Sequence, residues 1–315
     1  MNYSIFYRRS IGVDRIEQEV AEFDIFVSAF NSSDRISTVF GRVPAKRKLW
    51  LVHPEYQYTE IDTVNVQPSV RPTTLDEVGQ VSELLAQLGD ITGLHVCIDI
   101  TGFMRHVIAF LFAKLAVSGV SKVYALYSEP ISYNKQEDTI FSTTTTGRVR
   151  PVRGMGGPND ARAKDHLIIG VGYDHKLISE VSNFKDDAAI HPLFALPSLS
   201  ADMYQQSAVK AAESGDVALR TEWITNRRFA PANDPFSTAA VVSELVASID
   251  RIGEPANIYL SPLSTKAQTL GFSLYWIFEG RQRSGVSLLL PECEIYSRET
   301  SSGLRRLWLY EVELN

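Results

Sequence analysis

The sequence predicts an α/β chain built as two tandem parallel-sheet subdomains related by internal duplication. Three observations carry this expectation. Continuous apolar, β-branched segments alternate with helical ones, the pattern of a parallel sheet covered on both faces. The alternation breaks once, over the Thr-, Gly- and Arg-rich stretch 131–165. The segments after the break repeat the order and type of those before it. With 315 residues, 44% of them hydrophobic, the chain is long enough for two cores. Each half is therefore expected to be Rossmann-like.

In the first half, "DIFVSAF" (24–30) reads as a strand, and Asn31 or Ser32 as the cap of the helix that follows. "RKLWLVHPEY" (47–56) is the next strand. The helix 73–91 opens on a Thr-x-x-Asp/Glu pattern, with apolar residues at Leu75, Val78, Val81, Leu84, Leu85 and Leu88. "LHVCIDITGF" then leads into the helix Arg105–Val117 and the strand 122–130. In the second half, 166–184 reads as strand, turn and helix, 189–199 as a strand, and 200–215 as a helix capped by Ser200. A helix at 235–253 is followed by strand, turn and helix over 256–280 and by the strand 285–296. The last segment, 304–314, alternates apolar and polar residues and suits an antiparallel edge strand.

The halves overlay by eye. "IFVSAFNSSDRISTVF" matches "IIGVGYDHKLISEVSNF", and "HVCIDITGFMRHVIAFLF" matches "ANIYLSPLSTKAQTLGFSLYW". The expected organisation is a first subdomain at 1–135, a linker or hairpin at 136–165 and a second subdomain at 166–315.

Net charge is −6, and the pI of about 5.6 argues against a face that coats nucleic acid. Cys97 and Cys293 lie in apolar strands and read as buried free thiols, which fits a cytoplasmic protein. No Cys/His cluster suggests a metal. The N-terminus lacks the apolar core of a secretory signal, and the most apolar helix is too short to span a bilayer. There is no Walker loop and no Gly-x-Gly-x-x-Gly before a helix, so no NAD, ATP or other cofactor is expected.

In open parallel sheets, ligands bind beyond the carboxyl ends of the strands. The corners there hold Ser28, Asn31, Ser32, Ser33, Asp34, Arg35, His53, Glu55, Asp99, Thr101, Gly102, Arg105, Ser128 and Glu129 in the first half. In the second they hold Gly172, Tyr173, Asp174, His175, Pro197, Ser198, Ser261, Ser264, Thr265, Lys266 and Glu292. "DITGFMR" and "SPLSTK" each place a hydroxyl and a cation where a helix starts, the chemistry of an anion cradle. Thr101, Gly102 and Arg105 are the expected contacts of the first corner, with Asn31, Ser32 and Ser33 beside them. Ser264, Thr265 and Lys266 are those of the second. For each motif alone, capping plus a solvated surface cation is the simpler explanation. Their recurrence at equivalent places favours a ligand. Arg148, Arg150, Arg153, Arg227 and Arg228 lie in polar segments that read as solvated loops.

The strand–Asp-x-Thr-Gly–helix arrangement of "IDITGFMR" resembles the CARF domain (CRISPR-associated Rossmann fold) and the related SAVED domains, which look like fused pairs of such units. The family motif continues with a second small residue and Lys, whereas Phe103 and Met104 precede Arg105 here. The resemblance implies a non-catalytic sensor or adaptor that binds a nucleotide-type anion at strand ends. It also implies a partner effector or complex subunit, in antiviral defence. Two other readings stay open. One is a metal-dependent phosphoesterase or nucleoside-processing enzyme that uses Asp99, with Glu55 and Glu129 as further metal ligands. The other is a scaffold subunit of a larger complex.

Overall fold

The structure, a computed structural model, describes residues 1–133, 142–199, 203–212, 222–298 and 301–314. The chain is mixed α/β, with two sheets of mostly parallel strands. It divides into two compact units. We call Ile5–Thr144 with Cys293–Asn315 the first unit, and Met1–Ser4 with Thr145–Glu292 the second.

The first sheet contains β1 (Arg8–Ile11), β2 (Phe23–Ala29), β3 (Ala45–Leu51), β4 (Ser69–Val70), β5 (Val96–Asp99), β6 (Lys122–Tyr133) and β13 (Ser301–Glu313). Their spatial order is β1-β13-β6-β5-β2-β3-β4. Strands β2 to β6 are parallel, β13 is antiparallel to β6, and β1 is antiparallel to β13. The helices are α1 (Ile16–Glu19), α2 (Asp34–Arg42), α3 (Glu77–Leu88) and α4 (Arg105–Val117). Phe26, Val39, Cys97, Leu126, Leu307 and Leu309 share one buried cluster, so one face of the first half and the C-terminal strand pack in the same core, while Ile36, Trp50, Val52 and Val66 form a second cluster.

The second sheet contains β7 (Ser142–Pro151), β8 (Lys164–Gly170), β9 (Ala189–Ala195), β10 (Arg228–Ala230), β11 (Ala256–Pro262) and β12 (Val286–Tyr296), in the order β10-β9-β8-β11-β12-β7. Strands β8 to β12 are parallel. Its helices are α5 (His175–Phe184), α6 (Met203–Ala212), α7 (Glu222–Thr225), α8 (Pro235–Asp250) and α9 (Lys266–Tyr275).

Numbered in chain order, the parallel strands of each sheet read 3-2-1-4-5. The order reverses between β2 and β5 in one sheet and between β8 and β11 in the other. At such a reversal the loops that follow the two central strands lead to helices on opposite faces of the sheet. In open α/β sheets the place between them, at the carboxyl ends of the strands, is where a ligand crevice forms.

Several elements differ from the expectation. The last strand is antiparallel, as its alternation suggests, but it joins β6 of the first sheet instead of the second half. Alternation reports which face of a strand is buried and says nothing about which sheet receives it. Residues 142–151 of the presumed linker are a strand of the second sheet. Arg228, assigned to a loop, begins β10. The N-cap of α2 is Ser33, not Asn31 or Ser32. The Ser200 cap and residues 136–141 of the linker lie outside the described residues. Among the described residues, no helix is long and apolar enough to cross a membrane.

Candidate functional site

The first crevice is built around Asp99. The last residues of β2 and β5 are in register, with Ser28 opposite Asp99. Ser28 Oγ donates to Asp99 Oδ2 at 2.9 Å. Thr101 N donates to Asp99 Oδ1 at 3.1 Å, and Thr101 Oγ1 donates to the same oxygen. Thr101 Oγ1 in turn accepts from Ser128 N at 2.9 Å, which ties the corner to β6. Asp99 is fully buried. Burial raises its pKa, and the bonds from Thr101 and Ser28 and the charge of Arg35 only partly oppose the rise. The corner is thus a closed turn, with both carboxylate oxygens used internally.

Gly102 is required there. A Cβ at this position would stand 2.2 Å from the Ala29 carbonyl oxygen and 3.0 Å from Ile36 Cδ1. Only glycine lets the two loops of the crevice meet backbone to backbone.

On the β2 side, Asn31 Oδ1 accepts from Ser33 N at 2.9 Å, and Asn31 Nδ2 donates to Tyr56 Oη at 3.2 Å. Tyr56 Oη also donates to the Gly102 carbonyl at 2.9 Å. One buried phenol therefore joins the two strand ends of the crevice. Ser32 Oγ lies 2.8 Å from Tyr58 Oη. Between these tyrosines Gln57 takes φ 50°, a left-handed conformation that sequence pattern does not disclose. Arg298 stacks over Tyr58, 4.4 Å from the ring centroid, and its Nε donates to the Tyr56 carbonyl at 2.8 Å. Ser33 Oγ donates to the Ser301 carbonyl at 3.3 Å, so this hydroxyl is engaged within the fold.

On the β5 side, α4 starts at Arg105 without a side-chain cap and without an acidic residue in its first turn. The charge that serves this helix end comes from elsewhere. Glu55, fully buried, places Oε1 3.1 Å from His106 Nε2. Gln80 Nε2 donates to the same oxygen at 3.1 Å, and Gln80 Oε1 lies 2.6 Å from His53 Nδ1. Met104 N donates to His53 Nε2 at 3.3 Å, which leaves the proton on Nδ1. Burial pushes the Glu55 carboxyl up, but the His106 hydrogen bond and the charges of His106 and His53 outweigh it, and the net shift is downward. Glu55 and Asp99 therefore do different work, and Glu129 does a third kind. It accepts from Trp308 Nε1 at 2.8 Å and lies within 4 Å of Arg305 and Arg306. The three carboxylates do not converge, and no cluster of three or more metal-ligating side chains occurs among the described residues.

Arg35, placed by the sequence only among the corner residues, reaches across the end of β5. Its Nη1 donates to the Ser128 carbonyl. It is 9% exposed, and its Nε has no acceptor.

The second crevice has a related floor and different walls. A Cβ on Gly172 would stand 2.2 Å from the Leu263 carbonyl oxygen, so glycine again lets two loops meet. Asp174 caps α5 by accepting from Leu177 N at 3.4 Å, and its Oδ2 is buried without a partner. Thr265 caps α9 by accepting from Gln268 N at 3.1 Å and donates to the Ala232 carbonyl. Gln268 Nε2 donates to the Ala230 carbonyl at 3.1 Å, while Gln268 Oε1 and Ser261 Oγ are buried and unpartnered. Ser264 is buried, and Lys266 is half-buried in the first turn of α9. Glu292 is taken up by Arg150, 2.6 Å away.

The structure thus brings Asn31, Ser32, Ser33, Thr101, Gly102 and Arg105 around the first crevice and Ser264, Thr265 and Lys266 to the rim of the second. Tyr56, Tyr58 and Arg298 have no signal in local pattern, because their contacts span 25 to 242 residues of sequence. Two cavities lie at the opposite, amino ends of the strands. One of about 710 Å³ is lined by Asp160, Arg162, Asp250, Asn257 and Arg283, and one of about 290 Å³ by His95, Lys122 and Tyr124. Compared with models of known protein families and with curated proteins, the chain matches none.

Proposed function

We propose that this chain is a non-catalytic ligand sensor or adaptor, similar in plan to CARF and SAVED domains. It binds a nucleotide-type anion at the carboxyl ends of its parallel strands and passes the signal to a protein partner. The observation that carries this reading is the shared 3-2-1-4-5 strand order, with a glycine closing the floor of the crevice at each reversal. The same repetition supports descent of the two units by internal duplication. Asn31, Ser32, Thr101, Gly102 and Arg105 border the first site, with Ser33 at its edge. Ser264, Thr265 and Lys266 border the second. Binding is favoured over hydrolysis at Asp99 because both oxygens of that carboxylate already hold the corner together.

The test is thermal unfolding of the full chain against a panel of mononucleotides and cyclic oligonucleotides. A ligand present at 100 times its Kd stabilises a one-site binder by about 3 kcal/mol. A saturable rise in Tm with one panel member is expected. A panel that leaves Tm unchanged defeats the proposal.

A further inference from the structure

The carboxyl end of the first sheet holds a positive charge that the fold does not pair. Arg35 projects from the first turn of α2 and is nine-tenths buried. A guanidinium carries five N–H donors in a fixed fork. For Arg35, Nη1 is spent on the Ser128 carbonyl, and Nε is buried with no acceptor. Among the described residues no carboxylate lies within ion-pair distance of it. The ion pairs of the first unit join other groups, such as Arg42 with Glu17, Lys46 with Asp24 and His106 with Glu55. The charge nearest in effect is Asp99, whose oxygens are already bonded to Ser28 and Thr101. Burial raises the pKa of Asp99, and the charge of Arg35 opposes that rise.

A second unpartnered group sits on the residue that Arg35 grips. Ser128 is fully buried, its N–H is spent on Thr101 Oγ1 and its carbonyl on Arg35, and its Oγ has no partner. Buried polar groups are normally hydrogen-bonded, and buried cations are normally paired. Here a guanidinium N–H and a serine hydroxyl are both left over, one in the first turn of α2 after β2 and the other on β6, two residues past the partner of Asp99.

We infer that Arg35 and Ser128 form an anion subsite that takes a phosphate group of the ligand. This rests on the ligand-sensing reading above and assigns its charge recognition to Arg35 instead of the half-buried Arg105. With Nη1 occupied, the remaining Nε edge of the guanidinium presents N–H groups in the spacing that phosphate oxygens accept side by side. The Ser128 hydroxyl supplies a further donor.

Calorimetric titration of the full chain with adenosine 5′-monophosphate, inorganic phosphate and adenosine separates the parts of this inference. Wild type is expected to bind the two phosphate-bearing probes and to bind adenosine more weakly than the monophosphate. R35Q is expected to lose about 30-fold or more in affinity for both, in keeping with a charge-assisted bond, and R105Q less than about threefold. R35Q removes a buried charge, so S128A is the safeguard. Its hydroxyl has no partner to lose, so Tm should hold while affinity drops about fivefold. If R35Q fails to fold, S128A decides. Wild-type phosphate binding that S128A and a folded R35Q leave unchanged overturns the subsite and leaves the sensing reading intact. Binding of adenosine as tight as the monophosphate, or no binding of either phosphate probe by wild type, also overturns it. Binding of inorganic phosphate that is lost in R35Q, with no response to any mononucleotide or cyclic oligonucleotide, keeps the subsite and sinks the sensing reading.

Discussion

The two crevices share a topology and differ in what they leave unpaired. Around the β2/β5 reversal the unpartnered groups include a guanidinium N–H of Arg35, the Ser128 hydroxyl on the neighbouring β6, and Glu55 Oε2 on the β5 side. At the β8/β11 reversal they are the acceptors Asp174 Oδ2 and Gln268 Oε1, with the Ser261 hydroxyl beside them. The first leaves a cationic donor over, and the second leaves two acceptors, with Lys266 at its rim. Strand order fixes where a crevice forms, and the side chains that ring it fix what it accepts. Duplication of a fold, if that is the origin of the halves, does not duplicate a binding preference.

The largest effects should come from what the crevices have in common. Gly102→Ala and Gly172→Ala each push a methyl group to within 2.2 Å of a carbonyl oxygen in the facing loop. Each should cost about 3 kcal/mol, because backbone must move to make room. Denaturant unfolding measures both. A mild effect at one position and a severe one at the other would break the structural parallel.

Asp99 has no counterpart among the carboxylates of the second sheet's β11 corner, so Asp99→Asn sharpens the contrast. The amide oxygen can keep both bonds from Thr101, but the amide nitrogen must donate to Ser28 Oγ, so the Ser28 bond reverses and loses its charge assistance. We expect a loss of about 2 kcal/mol in unfolding free energy. A variant as stable as wild type would show that the corner does not depend on the carboxylate.

Acid should separate the units as well. In the second sheet, His166 Nδ1 lies 3.0 Å from His191 Nε2, and the rings stack. Burial lowers both pKa values, that of His191 to about 4 from an ordinary 6.5, with His166, Arg228 and Lys164 adding to the shift. The unfolded chain then binds protons that the fold refuses. Stability is full above about pH 6.5 and falls as pH drops toward about 4, by about 3 kcal/mol for His191. In the first unit, Glu55 is shifted below its ordinary value, so its contribution is lost only at lower pH. Asp99, shifted upward, works the other way and favours the fold when protonated. Hydrogen exchange at pH 5 should therefore show β8 and β9 opening before β2 and β5. The reverse order would contradict this assignment.

The smallest expected effect is that of Tyr56→Phe. Removing the phenol that joins Asn31 to Gly102 should cost about 1 kcal/mol, leaving the ring packing in place. No measurable change in unfolding would mean that the two strand ends hold without the bridge.

Much of this arrangement was legible in the sequence. Apolar strands and capped helices marked the parallel sheets, and the corners at Asn31–Ser33, Thr101–Arg105 and Ser264–Lys266 fall where strand ends place them. The rest depends on partners remote in the chain. Residues 304–314 showed their alternation but not that Leu307 and Leu309 pack with Phe26 and Leu126. The strand β4 has two residues, too few for any periodicity. Arg35 stands in the sequence only as one of the corner residues; its burial follows from the reach to Ser128, 93 residues away. The sequence keeps Asp99 open as a metal ligand or catalyst, and its bond from Ser28 joins residues 71 apart, which no local pattern discloses.

The most direct test of the difference between the crevices is amide-resolved hydrogen exchange of the full chain, with and without saturating adenosine 5′-monophosphate. Slowed exchange confined to Ser33–Ile36, Thr101–His106 and Ser128 is the expected result, with Ser264–Gln268 unchanged. Protection at Ser264–Gln268 alone, with the first crevice unaffected, would contradict the account.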